Sequence, residues 1–187
     1  MATQPDAFQI RSAVAEDFPT VERLCALRFG KGYLKREEFD RWLAHPELFL
    51  VMECEGDFVG YVCFVPETPE EMAAYIRFPV EEVRREAGDR PAIHCRSTAL
   101  FSAYEHKGLM RALWVRILDT VQKEGYRVAY GPAWKYNGFV PMHRLLTSFG
   151  FVPLCEKQGL WYEDESYTCV VCGGRCSCPA VIYQLKI

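Results

Sequence analysis

The sequence predicts an α/β domain, and three observations carry that prediction. Residues 93–151 read in one pass as strand, glycine turn, helix, strand, helix. Residues 48–65 read as two apolar strands joined by a short turn. The chain has 187 residues, 50% hydrophobic and 25% charged, enough for one compact domain with a sizeable core. Neither an internal repeat nor a low-complexity linker divides it.

Residues 1–7 are polar and are expected to be mobile. Phe8 to Arg11 alternates as a short strand, and Ala15-Glu16-Asp17 opens a helix to about Phe29 with Phe18, Val21, Leu24, Cys25 and Arg28 at helical spacing. Gly30-Lys31-Gly32 breaks that helix. A second helix, Lys35 to Ala44, sets Phe39, Trp42 and Leu43 on one face and stops before Pro46. Leu48–Cys54 and Phe58–Val65 flank Glu55-Gly56-Asp57, a hairpin with the glycine in its turn; both strands are apolar on both faces and belong inside a sheet. Residues 66–91 turn acidic and helical, a longer insertion than a hairpin connection needs.

Ile93 to Phe101 suits a buried strand. Between Gly108 and Gly125, Leu109, Ala112, Leu113, Val115, Ile117, Leu118 and Val121 recur at near-helical spacing. Tyr126 to Ala133 reads as a strand, residues 137–151 as a helix, and Val152 to Tyr162 as a strand bent at Lys157-Gln158-Gly159. Ala180 to Ile187 alternates as a last strand.

A net charge of −3 argues against a nucleic-acid partner. Because no apolar run reaches bilayer length and the start MATQPDAFQI lacks the layout of a signal peptide, the expectation is a cytoplasmic chain without a membrane partner. Of the 9 cysteines, Cys25, Cys54, Cys63, Cys95 and Cys155 are scattered through apolar surroundings, whereas Cys169, Cys172, Cys176 and Cys178 crowd into one segment. In an unsecreted chain that crowding does not suggest a disulfide framework. The opening Cys-x-x-Cys-Gly-Gly, followed by Cys-Ser-Cys, brings several sulfurs within reach of one metal. Zn²⁺ is the first reading, with free or disulfide-paired thiols and an iron–sulfur cluster as alternatives.

The strand that feeds a helix through Gly108 leaves backbone N–H groups exposed at a positive helix end, with His106, Lys107 and Arg111 beside it. A phosphate can sit there. An ordinary helix start is the alternative on these residues alone.

Order and spacing add to this, because the segment resembles the acyl-CoA-binding core of the GCN5-related N-acetyltransferases (GNAT). Ala99-Leu100 closes the central strand, and Glu105-His106-Lys107-Gly108-Leu109-Met110 aligns with the family's pyrophosphate loop, Arg/Gln-x-x-Gly-x-Gly/Ala. Its basic residue before the glycine, its glycine and the apolar residue after it are present, while Glu105 and Met110 depart from the pattern. Ser148-Phe149-Gly150-Phe151 resembles the closing Gly-Phe signature, Asn137 lies near a usual asparagine, and the opening Phe-Gln-Ile-Arg-Ser-Ala…Glu-Asp is similar to the family's start. The resemblance spans nearly the whole chain.

It implies a mixed, mostly antiparallel sheet flanked by helices, acetyl-CoA as cosubstrate and an amine acceptor. Backbone from Leu100 through Phe101 to Ser102 would hold the acyl-CoA. The amides of residues 106–111 would take the pyrophosphate, with Lys107 or Arg111 in support. His94 occupies the position of the family's general base, with Arg96 on the same face to depress its pKa; a histidine merely packed on the strand is the alternative. Leu146 stands where the acid tyrosine is common, which leaves His143, Tyr136 and Tyr130 as candidates for that role. Segments 29–45 and 66–91 would select the acceptor, although the second also reads as a solvated charged helix on the sheet edge. The cysteine loop falls in the hairpin before the last strand, as a structural clip on the acceptor side. Two other readings stay open: a non-catalytic CoA or metabolite sensor, and a metal- or redox-responsive module that binds a protein partner. Acceptor and oligomeric state, a homodimer included, are open as well.

Overall fold

The computed structural model describes residues 8–187; residues 1–7, read above as polar and mobile, lie outside the described residues. In order the chain forms β1 (Phe8–Ser12), α1 (Phe18–Arg28), β2 (Gly30–Lys31), α2 (Arg36–Leu43), β3 (Phe49–Cys54) and β4 (Asp57–Glu67). Then follow α3 (Pro69–Ile76), α4 (Val80–Ala87), β5 (Ala92–Leu100), α5 (Leu109–Lys123) and β6 (Val128–Trp134). The chain closes with α6 (His143–Ser148), β7 (Val152–Lys157), β8 (Thr168–Cys169) and β9 (Ala180–Lys186).

A 7-stranded sheet runs β1-β3-β4-β5-β6-β9-β7. Every pair in it is antiparallel except β5–β6, which is parallel and brief, with Ile93 opposite Ala129 and His94 opposite Tyr130. Beyond His94 the edge of β5 that faces β6 therefore has no strand partner among the described residues, and the two strands part. The expected mixed, mostly antiparallel sheet is present. β2 and β8 form a second, antiparallel pair apart from it.

Helices cover both faces. On one, α5 buries Leu109, Leu113, Trp114, Ile117 and Val121 against Leu50, Met52, Val62, Phe64 and Ile93. Burying each large apolar side chain contributes about 1.5–3 kcal/mol. On the opposite face, α1 and α2 bury Leu24, Cys25, Phe39 and Trp42 over Val51 and Tyr61. Beside them α3 and α4, the expected insertion, bury Met72, Ile76 and Val83 over Val128, Tyr130 and Ile182. The first of these two helices starts on a capping box: Thr68 Oγ1 accepts the Glu71 N–H at 3.2 Å, and Glu71 accepts the Thr68 N–H at 2.9 Å.

Local chemistry corrects two boundaries and refines one placement. The helix expected over 137–151 is only α6, because Asn137 (φ 48°) and Gly138 (φ 80°) make a turn that bridges Tyr136 to Phe139, and Pro141 follows before the helix can start. The strand expected to Tyr162 ends at Lys157, short of Gly159 (φ 55°). The cysteine loop does lie in the β7–β9 connection, but it leaves the main sheet to pair with β2.

One irregularity decides where the charges go. The β4–β5 register slips between Cys63, opposite Ser97, and Phe64, opposite Cys95, so Arg96 is an extra residue. This bulge turns Arg96 toward Trp42 and Tyr75 and Ser97 toward Tyr61, both on the side of α1 to α3.

Candidate active site

Where β5 and β6 part, a cavity of about 680 Å³ opens across the middle of the sheet. Its size suits a small-molecule site. One end is lined by Leu100, Glu105, His106, Met110, Trp114 and Leu145. The other is lined by Tyr33, Tyr75, Arg96, Trp161, Tyr167 and Val170, with Cys169 and Cys176 in the wall.

The first end is built from backbone. Gly108, at φ 79°, turns the chain into α5, a conformation that costs glycine nothing. The first intrahelical bond runs from the Ala112 N–H to the Gly108 carbonyl at 3.1 Å, so the amides of Leu109, Met110 and Arg111 are the free donors of the helix start. Glu105, the departure from the loop pattern, is neutralised: Arg28 ion-pairs with it and donates two further hydrogen bonds, at 2.9 and 2.7 Å, to the Leu100 carbonyl. The loop keeps the positive charges of Lys107, which sits over the Tyr104 ring at 5.5 Å, and of Arg111, which sits over Phe149 at 4.8 Å and donates to Ser148 Oγ at 2.7 Å.

The second end is built from side chains. Arg96 is paired with Glu38 at 2.8 Å and lies among the rings of Tyr33, Trp42 and Tyr75. Burial pushes the Glu38 carboxyl up, but Arg96 outweighs it and holds that carboxyl below its ordinary value. The Trp161 indole donates to Tyr75 Oη at 2.9 Å. Burial pushes the Tyr33 hydroxyl up to about 12, so it stays protonated.

His94 sits one strand position below the point of separation. It is fully buried, outside the residues that line the cavity, with its ring 4.5 Å from that of Tyr75. Nδ1 meets Glu67 Oε1 at 2.9 Å, and Nε2 is buried without a partner among the described residues. Burial, the largest influence, lowers its pKa against the pull of Glu67, so the ring is neutral at pH 7.

The structure brings Leu100, His106 and Met110 to the cavity wall; Phe101, Ser102, Lys107, Gly108, Leu109 and Arg111 flank it in the same loop and helix start. It does not bring the remaining candidates there. His143 is exposed and bonded to Tyr183 Oη at 2.8 Å, Tyr136 is exposed and stacked on Trp134, and Asn137 forms a turn. Tyr130 is buried beneath α3 and α4, outside the cavity lining, and is bonded by Gln184 at 3.0 Å.

The four clustered cysteines do converge: the sulfurs of Cys169, Cys172, Cys176 and Cys178 all lie within 4.8 Å of one another. Four thiolates around zinc, at a Zn–S distance of about 2.3 Å, would stand about 3.8 Å apart, so the set fits one tetrahedral ion. Donors already aim at these sulfurs. The backbone N–H groups of Val171 and Cys172 reach Cys169, and the buried Trp134 indole, which has no tighter partner, faces Cys178. Burial opposes ionisation of Cys172, yet hydrogen bonds from Ser177, Cys178 and Cys169 draw it down to about 7. Tyr33, Trp134 and Trp161 pack around the cluster.

A parted strand pair, a cavity through the sheet and an open helix start at one mouth coincide with a family match: the model described as Acetyltransferase (GNAT) family covers residues 10–151. The chain belongs to the GNAT acetyltransferase family. Solved structures agree on the GNAT fold. Ard1 from Thermoplasma volcanium aligns with a TM-score of 0.67 at 16% identity, covering 97% of this chain and 98% of that one. Arabidopsis thaliana Naa50, solved with the bisubstrate analogue CoA-Ac-MVNAL, aligns with a TM-score of 0.69 at 13% identity, covering 96% and 99%. Salmonella typhimurium yncA, solved with its cofactor acetyl-CoA, aligns with a TM-score of 0.66 at 19% identity, covering 97% and 94%. A search of curated proteins returns no match. No helix among the described residues is long and apolar enough to cross a membrane.

Within this GNAT chain the residues that sequence reasoning missed are Arg28, Tyr33, Tyr75, Trp161 and Tyr167. Arg28 left a trace as a charge at an otherwise apolar helix spacing, and Tyr33 and Tyr75 lie in the two segments, 29–45 and 66–91, expected to select the acceptor.

Proposed function

We propose that the chain is an N-acetyltransferase that moves an acetyl group from acetyl-CoA to an amine, acting as one domain in a reducing, cytoplasmic setting. One observation carries this: the cavity joins a backbone-built anion site at the start of α5 to a chamber lined by side chains on the other side of the parted strands. The pyrophosphate would rest on the amides of Leu109, Met110 and Arg111, with Lys107 and Arg111 supplying charge. The pantetheine arm would run along the unpartnered edge of β5.

In this reading the amine nitrogen attacks the thioester carbonyl, the C–N bond forms, the C–S bond breaks, and CoA leaves as a thiolate. The amine proton passes through water to His94 Nε2 and from there to the thiolate or the bulk. Glu67, bonded to Nδ1, fixes the tautomer that leaves Nε2 with its lone pair. With Leu146 at the position where the family commonly carries an acid, no side chain is assigned to protonate the thiolate directly.

The cysteine cluster would hold Zn²⁺ as a structural cross-link. Zinc supplies no step of the transfer in this reading; it ties the residues on either side of it together.

The test is acetyl transfer from [¹³C]acetyl-CoA to a panel of amines, followed by mass spectrometry, with His94→Gln beside the parent chain. Turnover by the parent, with kcat reduced about 10²- to 10⁴-fold in the variant and acetyl-CoA binding intact, is the expected result. Acetyl-CoA binding with no turnover on any amine would favour the sensor reading instead.

A further inference from the structure

Two connections flank the chamber from opposite sides of the cleft, the α1–α2 connection and the long one between β7 and β9. They are bonded to each other. Gly30 pairs with Cys169 and Lys31 with Thr168, the Val170 N–H donates to the Phe29 carbonyl at 2.9 Å, and the Tyr33 and Tyr167 rings meet edge to face at 5.6 Å. Both sides of this junction contribute cavity wall: Phe29 and Tyr33 from one, Tyr167 and Val170 from the other.

The join is tight. Gly30 has φ 138°, and a Cβ there would stand 1.8 Å from the Thr168 carbonyl oxygen; Gly32 has φ 82°, with a Cβ 2.4 Å from the Ser166 oxygen. Only glycine allows these two backbones to approach so closely. A two-residue strand pair is too short to hold itself together. Cys169, however, is at once a residue of β8 and a member of the four-sulfur cluster, so whatever fixes the cluster fixes the strand pair.

We propose that the metal-held cysteine cluster locks the β2–β8 pair as a strap over the acceptor end of the cavity, and that the strap restricts the acceptor to a small amine lodged inside the aromatic chamber. This rests on the acetyltransfer and zinc readings above. In this reading the join from residues 29–31 to residues 168–170 bars a polypeptide that would have to lie across the cleft. The metal therefore sets acceptor choice without touching the acceptor.

Two variants loosen the strap from opposite sides. Cys172 belongs to the cluster but does not line the cavity, and Cys172→Ser removes a metal ligand while leaving the wall residues in place. Gly30→Ala drives a methyl group into Thr168 and leaves all four cysteines intact. The measurement is kcat/KM, with [¹³C]acetyl-CoA, for a panel of small primary amines and for octapeptides that carry a free N-terminus and a lysine. Bound zinc, the acetyl-CoA melting shift, and hydrogen exchange at residues 29–33 and 167–171 are followed in parallel.

The expected result is that the zinc-loaded parent favours the best small amine over the best peptide by more than tenfold. Both variants should raise the KM for that amine more than tenfold, narrow its margin over peptides and speed exchange at both segments. Acetyl-CoA affinity should stay within twofold, and Gly30→Ala should keep its zinc. Peptides used as well as small amines by the parent would overturn the proposal. So would a zinc-free Cys172→Ser and an exchange-loosened Gly30→Ala whose KM and selectivity equal the parent's. A parent isolated without metal would overturn the zinc reading and the strap together. Failure of the acetyltransfer reading is told apart by a parent that turns over neither amines nor peptides, whether or not acetyl-CoA shifts its melting temperature, because every strap outcome is read from a parent that turns over.

Discussion

The two ends of the cavity are made of different material. At the donor end the groups that would meet the ligand are backbone amides and a strand edge, and they exist whatever side chains the loop carries; Glu105 and Met110 depart from the family pattern there without removing a single donor. At the acceptor end the wall is a set of side chains from five separate segments, held by an ion pair, by stacked rings and by the β2–β8 junction. A backbone site tolerates substitution and recognises a common chemical group. A side-chain site changes with each substitution, and it is where one family member can differ from the next.

That contrast can be broken at either end. The largest effect is expected from Gly108→Glu, which forces a left-handed φ on a non-glycine residue and sets a carboxylate where the phosphate would rest. The melting shift produced by acetyl-CoA, which must grow with ligand concentration when the ligand binds only the native state, should vanish even at millimolar ligand, with the acceptor wall unaltered. A retained shift would mean that the phosphate sits elsewhere.

Arg96→Met probes the opposite end. It leaves Glu38 partly buried with Arg41, at 3.2 Å, and the Trp42 indole N–H, at 3.3 Å, as its remaining partners. The pair is partly solvated, so the cost should be about 2 kcal/mol, less than for a fully buried pair. That corresponds to roughly 4–8 °C in melting temperature for a chain of this size. Acetyl-CoA affinity should move less than threefold, and Glu38→Gln added to the same chain should recover part of the loss. A large loss of acetyl-CoA affinity would show that the two ends are not separable.

The smallest effect is on pH. Burial holds the pKa of His94 below 6.5, the value of the unfolded chain, and the groups that face it are Glu67, Tyr75, Arg96 and Glu38. As pH falls through 6.5 the unfolded chain binds a proton that the folded ring refuses, so stability declines toward acid. Stability should therefore fall from pH 6.5 toward acid, and His94→Gln should flatten the melting profile in that window. The carboxyls of Glu38 and Asp17, held low by Arg96 and Arg11 against their burial, add their own losses only below about pH 4.5, so the two windows are distinct.

The same contrast explains what could be read in the sequence. The donor end was legible because it is local: a strand, a glycine and an amphipathic helix follow one another from Ile93 to Val121. The insertion and the clustered cysteines were legible for the same reason. The acceptor end was legible only as two segments, 29–45 and 66–91, and not as residues, because its rings come from Tyr33, Tyr75, Trp161 and Tyr167, far apart in the chain and joined by no shared period. A two-residue strand has no pattern to detect, so Gly30-Lys31-Gly32 was read only as a helix stop, when its glycines also admit a neighbouring backbone. The bulge at Arg96 breaks the alternation on which strand reading depends and sends Arg96 and Ser97 to one side. His143 does share α6 with Leu146, one turn before it, but its ring is bonded to Tyr183; Tyr136 stands at the Asn137-Gly138 turn, stacked on Trp134.

The position of β9 has a consequence for biosynthesis. It is the last strand in sequence but an inner one in the sheet, flanked by β6 and β7. While the ribosome makes the chain, β7 is finished before residues 180–186 exist, and it has no other strand partner among the described residues. The nascent chain thus carries an open strand edge, and with it the cysteines, through the interval in which they are synthesised. Removing a few residues from β9 would not trim a rim; it would take the keystone from between two strands and leave β7 without its partner.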